Sequence, residues 1–326
     1  MPQIRAFRFD RVGDPDVLHL DTIEAPDPGP GEVRVRHTLI GVKYIDTYHR
    51  SGLDPVPLPS GIGLEAAGTV EAIGPGVDTV REGQRVAYCS GPPGAYSEAH
   101  VVKAHRLVPL PDSLSDETAA GSLLKGLTVQ YLIRQIHRCG PEDTVLFHAG
   151  AGGVGQIALQ WLKELGTTVI TTAGSEDKAK IARARGADHV ILYRDEDVAT
   201  RVAEITDGQG VAVVYDGVGK DTWIPSLDSL RKRGLMVSFG NASGPVRDVD
   251  LGILSAKGSL FLTRPTLAHY TETEEALRRS ADDYFAVLSS GVVKIADPTV
   301  YALADAKQAH RDLEGRRTTG SIILKP

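Results

Sequence analysis

The sequence predicts an α/β fold in two domains: a β-rich domain built from both ends of the chain, interrupted by a doubly wound parallel sheet. Three observations carry this. The first 120 residues show short alternating strands cut by Gly and Pro, the middle of the chain alternates apolar strands with amphipathic helices, and beyond about residue 264 that alternation stops and strand-like segments return. A chain of 326 residues has room for two domains of roughly 150 residues each. The reading places the β-rich domain at residues 1–122 and 265–326 and the inserted one at 123–264.

The elements follow in order. Gln3 to Phe9, Glu32 to Ile40, Ala67 to Ile73 and Gln84 to Tyr88 alternate or run apolar over strand lengths. Turn clusters such as Pro26-Asp27-Pro28-Gly29-Pro30-Gly31 and Gly91-Pro92-Pro93-Gly94 punctuate this part of the chain, as in a partly open barrel or sandwich. Ser115 before Asp116-Glu117 reads as a capped helix start, and a second helix is expected from about Thr128 to Arg138. Strands are then expected at Thr144–His148, Thr168–Thr172, His189–Leu192, Val211–Tyr215 and Leu235–Phe239. Helices are expected at Val154–Leu165, Asp177–Arg185, Asp197–Ile205 and Thr222–Leu230. Short apolar strands alternating with helices make a parallel sheet covered on both faces. A polar helix over Thr273–Leu288 leads to strands at Thr299–Leu303 and Gly320–Leu324.

The segment with the most chemistry is Val145-Leu146-Phe147-His148-Ala149-Gly150-Ala151-Gly152-Gly153-Val154-Gly155. Gly150, Gly152 and Gly155 satisfy G-x-G-x-x-G between a strand and a helix, with Gly153 as an extra glycine. Glycines allow the tight turn and let the backbone approach a pyrophosphate, and the following helix start presents free N–H groups and a positive dipole end. The context of strand, turn and helix inside an alternating sheet makes this a Rossmann dinucleotide site.

Selectivity for NAD needs a carboxylate at the end of the second strand to hold the ribose 2′-hydroxyl. That strand ends Thr172-Ala173-Gly174-Ser175, without one. Small residues leave room for a 2′-phosphate, and Lys178, Lys180, Tyr193 and Arg194 supply cationic and hydroxyl donors nearby. NADPH is therefore the expected cofactor. Glu176 and Asp177 read either as acids in the first turn of the next helix or as ribose contacts.

Bulk properties exclude other classes. Net charge is −6 with no basic stripe, which argues against nucleic acid as the main partner. No apolar run reaches the roughly 18 residues that span a bilayer. The N-terminus lacks the apolar stretch of a secretory signal, and only two cysteines, Cys89 and Cys139, are present. A cytoplasmic enzyme is expected.

These residues resemble a known family. Ile45-Asp46-Thr47-Tyr48, Gly61-Ile62-Gly63-Leu64-Glu65-Ala66-Ala67-Gly68, Leu124-Lys125-Gly126-Leu127-Thr128-Val129, His148 to Gly155, Val214-Tyr215-Asp216, Arg233 to Asn241 and Thr263-Arg264-Pro265 are similar to the zeta-crystallin-like quinone oxidoreductases of the medium-chain dehydrogenase/reductase superfamily, bacterial type, over essentially the whole chain. The resemblance implies a GroES-like catalytic domain beside the Rossmann domain, with NADPH in the cleft between them. It implies Lys178 and Tyr193 on the 2′-phosphate, with Arg316 at the same end and Gly174 and Ser175 in the turn there. Gly152 to Val154 would support the pyrophosphate. Phe239, Gly240 and Asn241 would flank the nicotinamide, with Arg264 and Thr128 also among the cofactor-binding positions. A homodimer is implied, paired through the edge strand near Ser259–Thr263. Two departures bear on substrate: Lys43 stands where the family commonly has Asn, and Asp54 where close bacterial relatives often carry Tyr.

Zinc-dependent relatives place a ligating His in a Gly-His-Glu triplet. Here it is Gly63-Leu64-Glu65, neither cysteine has a partner at zinc spacing, and no metal is expected. A quinone needs little activation, so a site without metal or strong acid suits it. Lys43 and Tyr48 are the candidate donors to a developing oxyanion. The alternatives are a 2-alkenal or enone reductase sharing fold and cofactor, or an NADPH-sensing binding protein, RNA binding included.

Overall fold

The computed structural model describes residues 2–326. Two compact units emerge: one runs to Leu124 and takes in Thr271–Asp282 and Ile295–Pro326, and the other comprises Lys125–Tyr270 and Asp283–Lys294.

The second unit contains the expected parallel sheet. Its six strands lie in the order His189–Leu192, Thr168–Ala173, Thr144–Phe147, Val211–Asp216, Leu230–Ser238 and Phe261–Thr263, every neighbouring pair parallel. Parallel strands need crossovers that cover both faces, which is why Val211–Asp216 is buried along its whole length. Leu146, Ile170, Val202, Val214 and Met236 form the apolar centre. Helix starts are fixed by side-chain caps: Ser175 Oγ accepts from Lys178 N at 3.4 Å and Asp197 Oδ1 from Thr200 N at 2.8 Å. Strand order reverses at Thr144–Phe147, and in such sheets ligands bind outside the carboxyl ends of the strands at that point. The glycine turn follows this strand directly.

The first unit is β-rich. A seven-stranded sheet is built on the long strand Glu32–Val42, which pairs antiparallel with Glu65–Ile73, Ala99–Lys103 and Ile322–Lys325. A smaller sheet joins His19–Glu24, Gln3–Phe9 and Ser60–Gly61. Phe9, Val33, Val35, Ile40, Val86, Tyr96 and Leu324 fill the core between them.

Some expectations are corrected. The helix capped by Ser115 does not stop before Thr128. It runs over Asp116–Gln130 and continues into a π-helical turn, Tyr131–Ile136. Gly126 within it is needed for packing: a Cβ there would lie 2.5 Å from Cδ1 of Tyr284. The helix expected over Thr222–Leu230 ends at Asp228, and Leu230 already opens the next strand. Helices Tyr44–Ser51 and Ala306–Glu314 were not expected; both are short, with few apolar positions to reveal a period. Among the described residues, no helix is long and apolar enough to cross a membrane.

Candidate active site

The strand Thr144–Phe147 delivers the chain into the glycine turn, and Gly152 caps the helix Gly153–Glu164. Gly152 N donates to Ala149 O at 2.9 Å, and Ala149 adopts φ 57°, a left-handed position rarely taken by a residue with a side chain. Gly155 is compulsory, since a Cβ there would fall 2.5 Å from Ala149 O and 2.8 Å from Gly150 Cα. A Cβ on Gly150 would press Thr171 Cγ2 at 2.9 Å and Leu159 Cδ1 at 3.0 Å. The first intrahelical bond is Gln156 N to Gly152 O at 2.9 Å, so the N–H groups of Gly153, Val154 and Gly155 have no intrahelical acceptor. Three free N–H groups at a helix start are the arrangement that favours an anion.

Beside it, the strand Thr168–Ala173 ends in Gly174 and the cap Ser175. Tyr193, 44% exposed, closes over this turn: a Cβ on Gly174 would sit 2.5 Å from the Tyr193 hydroxyl. The acids of the first helical turn are engaged along their own helix, Glu176 with Arg183 at 2.5 Å and Asp177 with Lys180 at 3.2 Å. Lys178 forms no ion pair with any described residue. The structure therefore brings Gly174, Ser175, Lys178 and Tyr193 together as small residues, a hydroxyl and an uncommitted ammonium, while Lys180 is already paired.

The third element is the loop after Leu230–Ser238. Phe239 N donates to Asp216 O at 2.8 Å, and the Phe239 ring packs 5.9 Å from that of Phe147. Gly240 crosses Gly217 so closely that a Cβ would lie 2.9 Å from Gly217 Cα. Arg264 Nη1 donates to Ser238 O at 2.7 Å and Gly240 O at 3.3 Å, and the Asn241 side-chain oxygen accepts from Arg264 Nη2 at 2.9 Å. The Arg264 guanidinium thus braces the loop carrying Phe239, Gly240 and Asn241. Thr128 is buried in the last turn of its helix.

In the first unit, Lys43 precedes the helix Tyr44–Ser51, and its N–H donates to Asp46 Oδ2 at 2.8 Å. Its side chain is only 4% exposed. Nζ pairs with Glu65 and donates to Ala120 O at 3.1 Å and Gly121 O at 3.4 Å. Glu65 Oε1 in turn accepts from Leu124 N at 2.7 Å. With a carboxylate and two carbonyls as partners, the Lys43 ammonium stands here as a buried brace between Glu65 and the helix start. Tyr48 is half-buried, its ring 6.4 Å from that of Tyr44. Arg316 lies in this unit with φ 57°, near Tyr44: burial raises the Tyr44 pKa and the Arg316 charge opposes that rise.

Similarity to known proteins now bears on these two sets of residues. Residues 29–112 match the alcohol dehydrogenase GroES-like domain and residues 153–281 the zinc-binding dehydrogenase domain. The chain is 53% identical to a quinone oxidoreductase of Pseudomonas aeruginosa over 99% of both chains, and 50% identical to quinone oxidoreductase 1 of Escherichia coli over 98% of both. The crystal structure of Escherichia coli quinone oxidoreductase complexed with NADPH superposes with a TM-score of 0.97, at 49% identity, covering 99% of this chain and all of that one. The chain belongs to the zeta-crystallin-like quinone oxidoreductases, within the medium-chain dehydrogenase/reductase superfamily.

Within that family the domain name refers to zinc, but the triplet here is Gly63-Leu64-Glu65 and its carboxylate is held by a lysine. A 2-haloacrylate reductase of Burkholderia is also similar, 45% identical over 97% of both chains. One functional network escaped the sequence reading. His148 is buried under the glycine turn, with Nδ1 3.1 Å from Thr172 Oγ1 and Nε2 3.0 Å from Ser226 Oγ. Ser226 Oγ donates to Asp216 Oδ2 at 2.9 Å, so it accepts from His148 Nε2–H, and Nδ1 accepts from Thr172. Burial lowers the His148 pKa, against the pull of Asp216, and the ring stays neutral. Asp216 Oδ1 also holds Val218 N at 2.7 Å and Gly219 N at 3.0 Å. Three carboxyl strand ends are thereby locked together beneath the cofactor cradle.

Proposed function

We propose that this chain is an NADPH-dependent quinone reductase working without metal. The observation that carries the reading is full-length identity of 50–53% to quinone oxidoreductases, one of whose solved structures holds NADPH. The chain's own residues fit that cofactor. Gly150 and Gly155 permit a turn so tight that a Cβ at either would strike neighbouring protein atoms, and Gly153, Val154 and Gly155 offer N–H groups to a pyrophosphate. Lys178, Tyr193, Gly174 and Ser175 suit a 2′-phosphate, with Arg316 as a further cation for that end. Phe239, Gly240 and Asn241, set by Arg264, would flank the nicotinamide, and Thr128 completes the cofactor set.

When bound, NADPH supplies a hydride, or an electron followed by a proton, to the acceptor. The protein's work is to orient that acceptor and exclude water. Tyr48 is the hydroxyl donor we assign to the developing oxyanion. Lys43 contributes indirectly by holding Glu65 and the helix that carries Thr128. Residues 123–264 would form the cofactor-binding domain, and residues 1–122 with 265–326 the catalytic one.

A second reading, reduction of an activated enone, is favoured by the similarity to the 2-haloacrylate reductase. We further infer a cytoplasmic homodimer: Phe261, 61% exposed, and Leu262 lie on an unpaired sheet edge, and both cysteines are buried and free. The test is NADPH and NADH oxidation with 1,4-benzoquinone, 9,10-phenanthrenequinone and a 2-alkenal. Quinone turnover with NADPH preferred is expected. Tight NADPH binding without turnover would overturn the enzyme in favour of a sensor. In Tyr48→Phe, kcat/KM should fall at least about tenfold, or about 1.4 kcal/mol.

A further inference from the structure

The second unit contains a side-chain cluster that the cofactor site does not use. At the end of the π-helical turn, His137 and Cys139 are followed by Asp143, just before the strand Thr144–Phe147. One imidazole nitrogen, the thiol sulfur and one carboxylate oxygen all lie within 4.8 Å of one another. The backbone fixes this grouping. Cys139 N donates to Ile133 O at 3.1 Å and His137 O at 3.0 Å, while Asp143 N donates to Gly140 O at 3.1 Å and Asp143 Oδ2 accepts from Gly140 N at 3.0 Å.

The free valences point inward. His137 Nε2 is sealed from solvent and hydrogen-bonded to no group, although Asp143 Oδ1 is 3.2 Å away. Cys139 Sγ is buried and lies 3.2 Å from the Tyr215 hydroxyl, which donates to Leu132 O at 3.2 Å. One nitrogen, one sulfur and one carboxylate oxygen, converging from a seven-residue turn, match the ligand set of a tetrahedral site that completes its fourth position with water.

We propose that His137, Cys139 and Asp143 form a zinc-binding site in the cofactor-binding unit, separate from the glycine turn and independent of the quinone reductase reading. Sequence spacing hid it, because His137-x-Cys139-x3-Asp143 contains no paired cysteines. Zinc there would displace the thiol proton and clasp the π-helical turn to the first strand of the parallel sheet. The clasp is structural: the ligands belong to the amino end of that strand, whereas the glycine turn follows its carboxyl end.

The experiment uses untagged, chelator-treated full-length protein titrated with cobalt(II) and then zinc. One equivalent of cobalt should give the near-ultraviolet thiolate-to-cobalt band and the strong visible bands of a tetrahedral site, and zinc should abolish both. Cys139→Ser should lose the thiolate band and Cys89→Ser keep it. His137→Gln, at a partly exposed position, should fold normally and weaken cobalt affinity at least about tenfold, as loss of a ligand does. Zinc should raise the melting temperature of the parent but not of His137→Gln. Absence of the thiolate band in the parent, or its survival in Cys139→Ser, would overturn the site, whatever the reductase assays show.

Discussion

Removing both members of the Lys43–Glu65 pair should cost this protein less than the summed cost of removing each alone. The two side chains are almost fully shielded, and each makes backbone contacts that the other cannot replace. Lys43 holds Ala120 O and Glu65 holds Leu124 N, an acceptor and a donor four residues apart on one helix. Gly41 leaves the room, since a Cβ there would lie 2.6 Å from Lys43 Nζ. Lys43→Met keeps the unbranched stem but strands a carboxylate in the core, at a cost of about 3–5 kcal/mol. Glu65→Gln keeps the Leu124 acceptor but strands an ammonium, at a similar cost. The double variant has no uncompensated charge, so its loss should fall short of the sum by about 2 kcal/mol or more. Urea unfolding of the four proteins, followed by circular dichroism and tryptophan fluorescence, measures the cycle. Additivity within about 0.5 kcal/mol would refute the claim that the pair acts as a unit. If Lys43→Met also left stability intact while kcat/KM collapsed, Lys43 would be a catalytic donor after all.

Other expectations follow from the same geometry. Lys178→Ala should weaken NADPH about tenfold and leave NADH unchanged, read as Kd from cofactor fluorescence; an equal loss for both cofactors would move the 2′-phosphate elsewhere. Gly155→Ala should abolish cofactor binding while the fold survives, which calorimetry and circular dichroism separate. His37 and His310 are each held to about 3 by burial, so both stay neutral in the folded state. Unfolded imidazoles protonate near pH 6.5, so stability should fall as pH drops below that, by up to about 1.4 kcal/mol per pH unit for each ring. Asp46, raised to about 6 chiefly by burial, acts in the opposite sense between its unfolded value and 6 and offsets part of the slope. Urea midpoints that do not change on acidification would contradict this. Phe261→Glu should convert a dimer to monomers in sedimentation; a parent already monomeric would remove the edge-pairing proposal.

The parallel sheet was legible because its strands are buried on both faces and its turns carry glycines that backbone contact demands. Gly155 and Gly240 are the clear cases: a Cβ at either would strike main chain, a pressure that acts on residue type directly. Lys43 and Arg264 were not legible in this way. A cation in a loop near a cofactor motif reads as a ligand contact until its partners are known. Both partners, Glu65 and the carbonyls of Ser238 and Gly240, come from distant sequence. The helix through Gly126 was missed for a similar reason, because Tyr284 lies more than 150 residues downstream. His148 was visible in the glycine segment, but its hydroxyl partners Thr172 and Ser226 carry no periodic signal.

The guanidinium of Arg264 begins one residue after the last strand of the sheet. The edge from Phe261 to Thr263 and the loop from Ser238 to Asn241 are therefore two ends of one short lever. Whatever steadies the edge narrows the range of positions open to Phe239 and Asn241, and whatever frays it loosens them. Order at the rim of the sheet and order in the Ser238–Asn241 loop are the same quantity, read at two points of the chain.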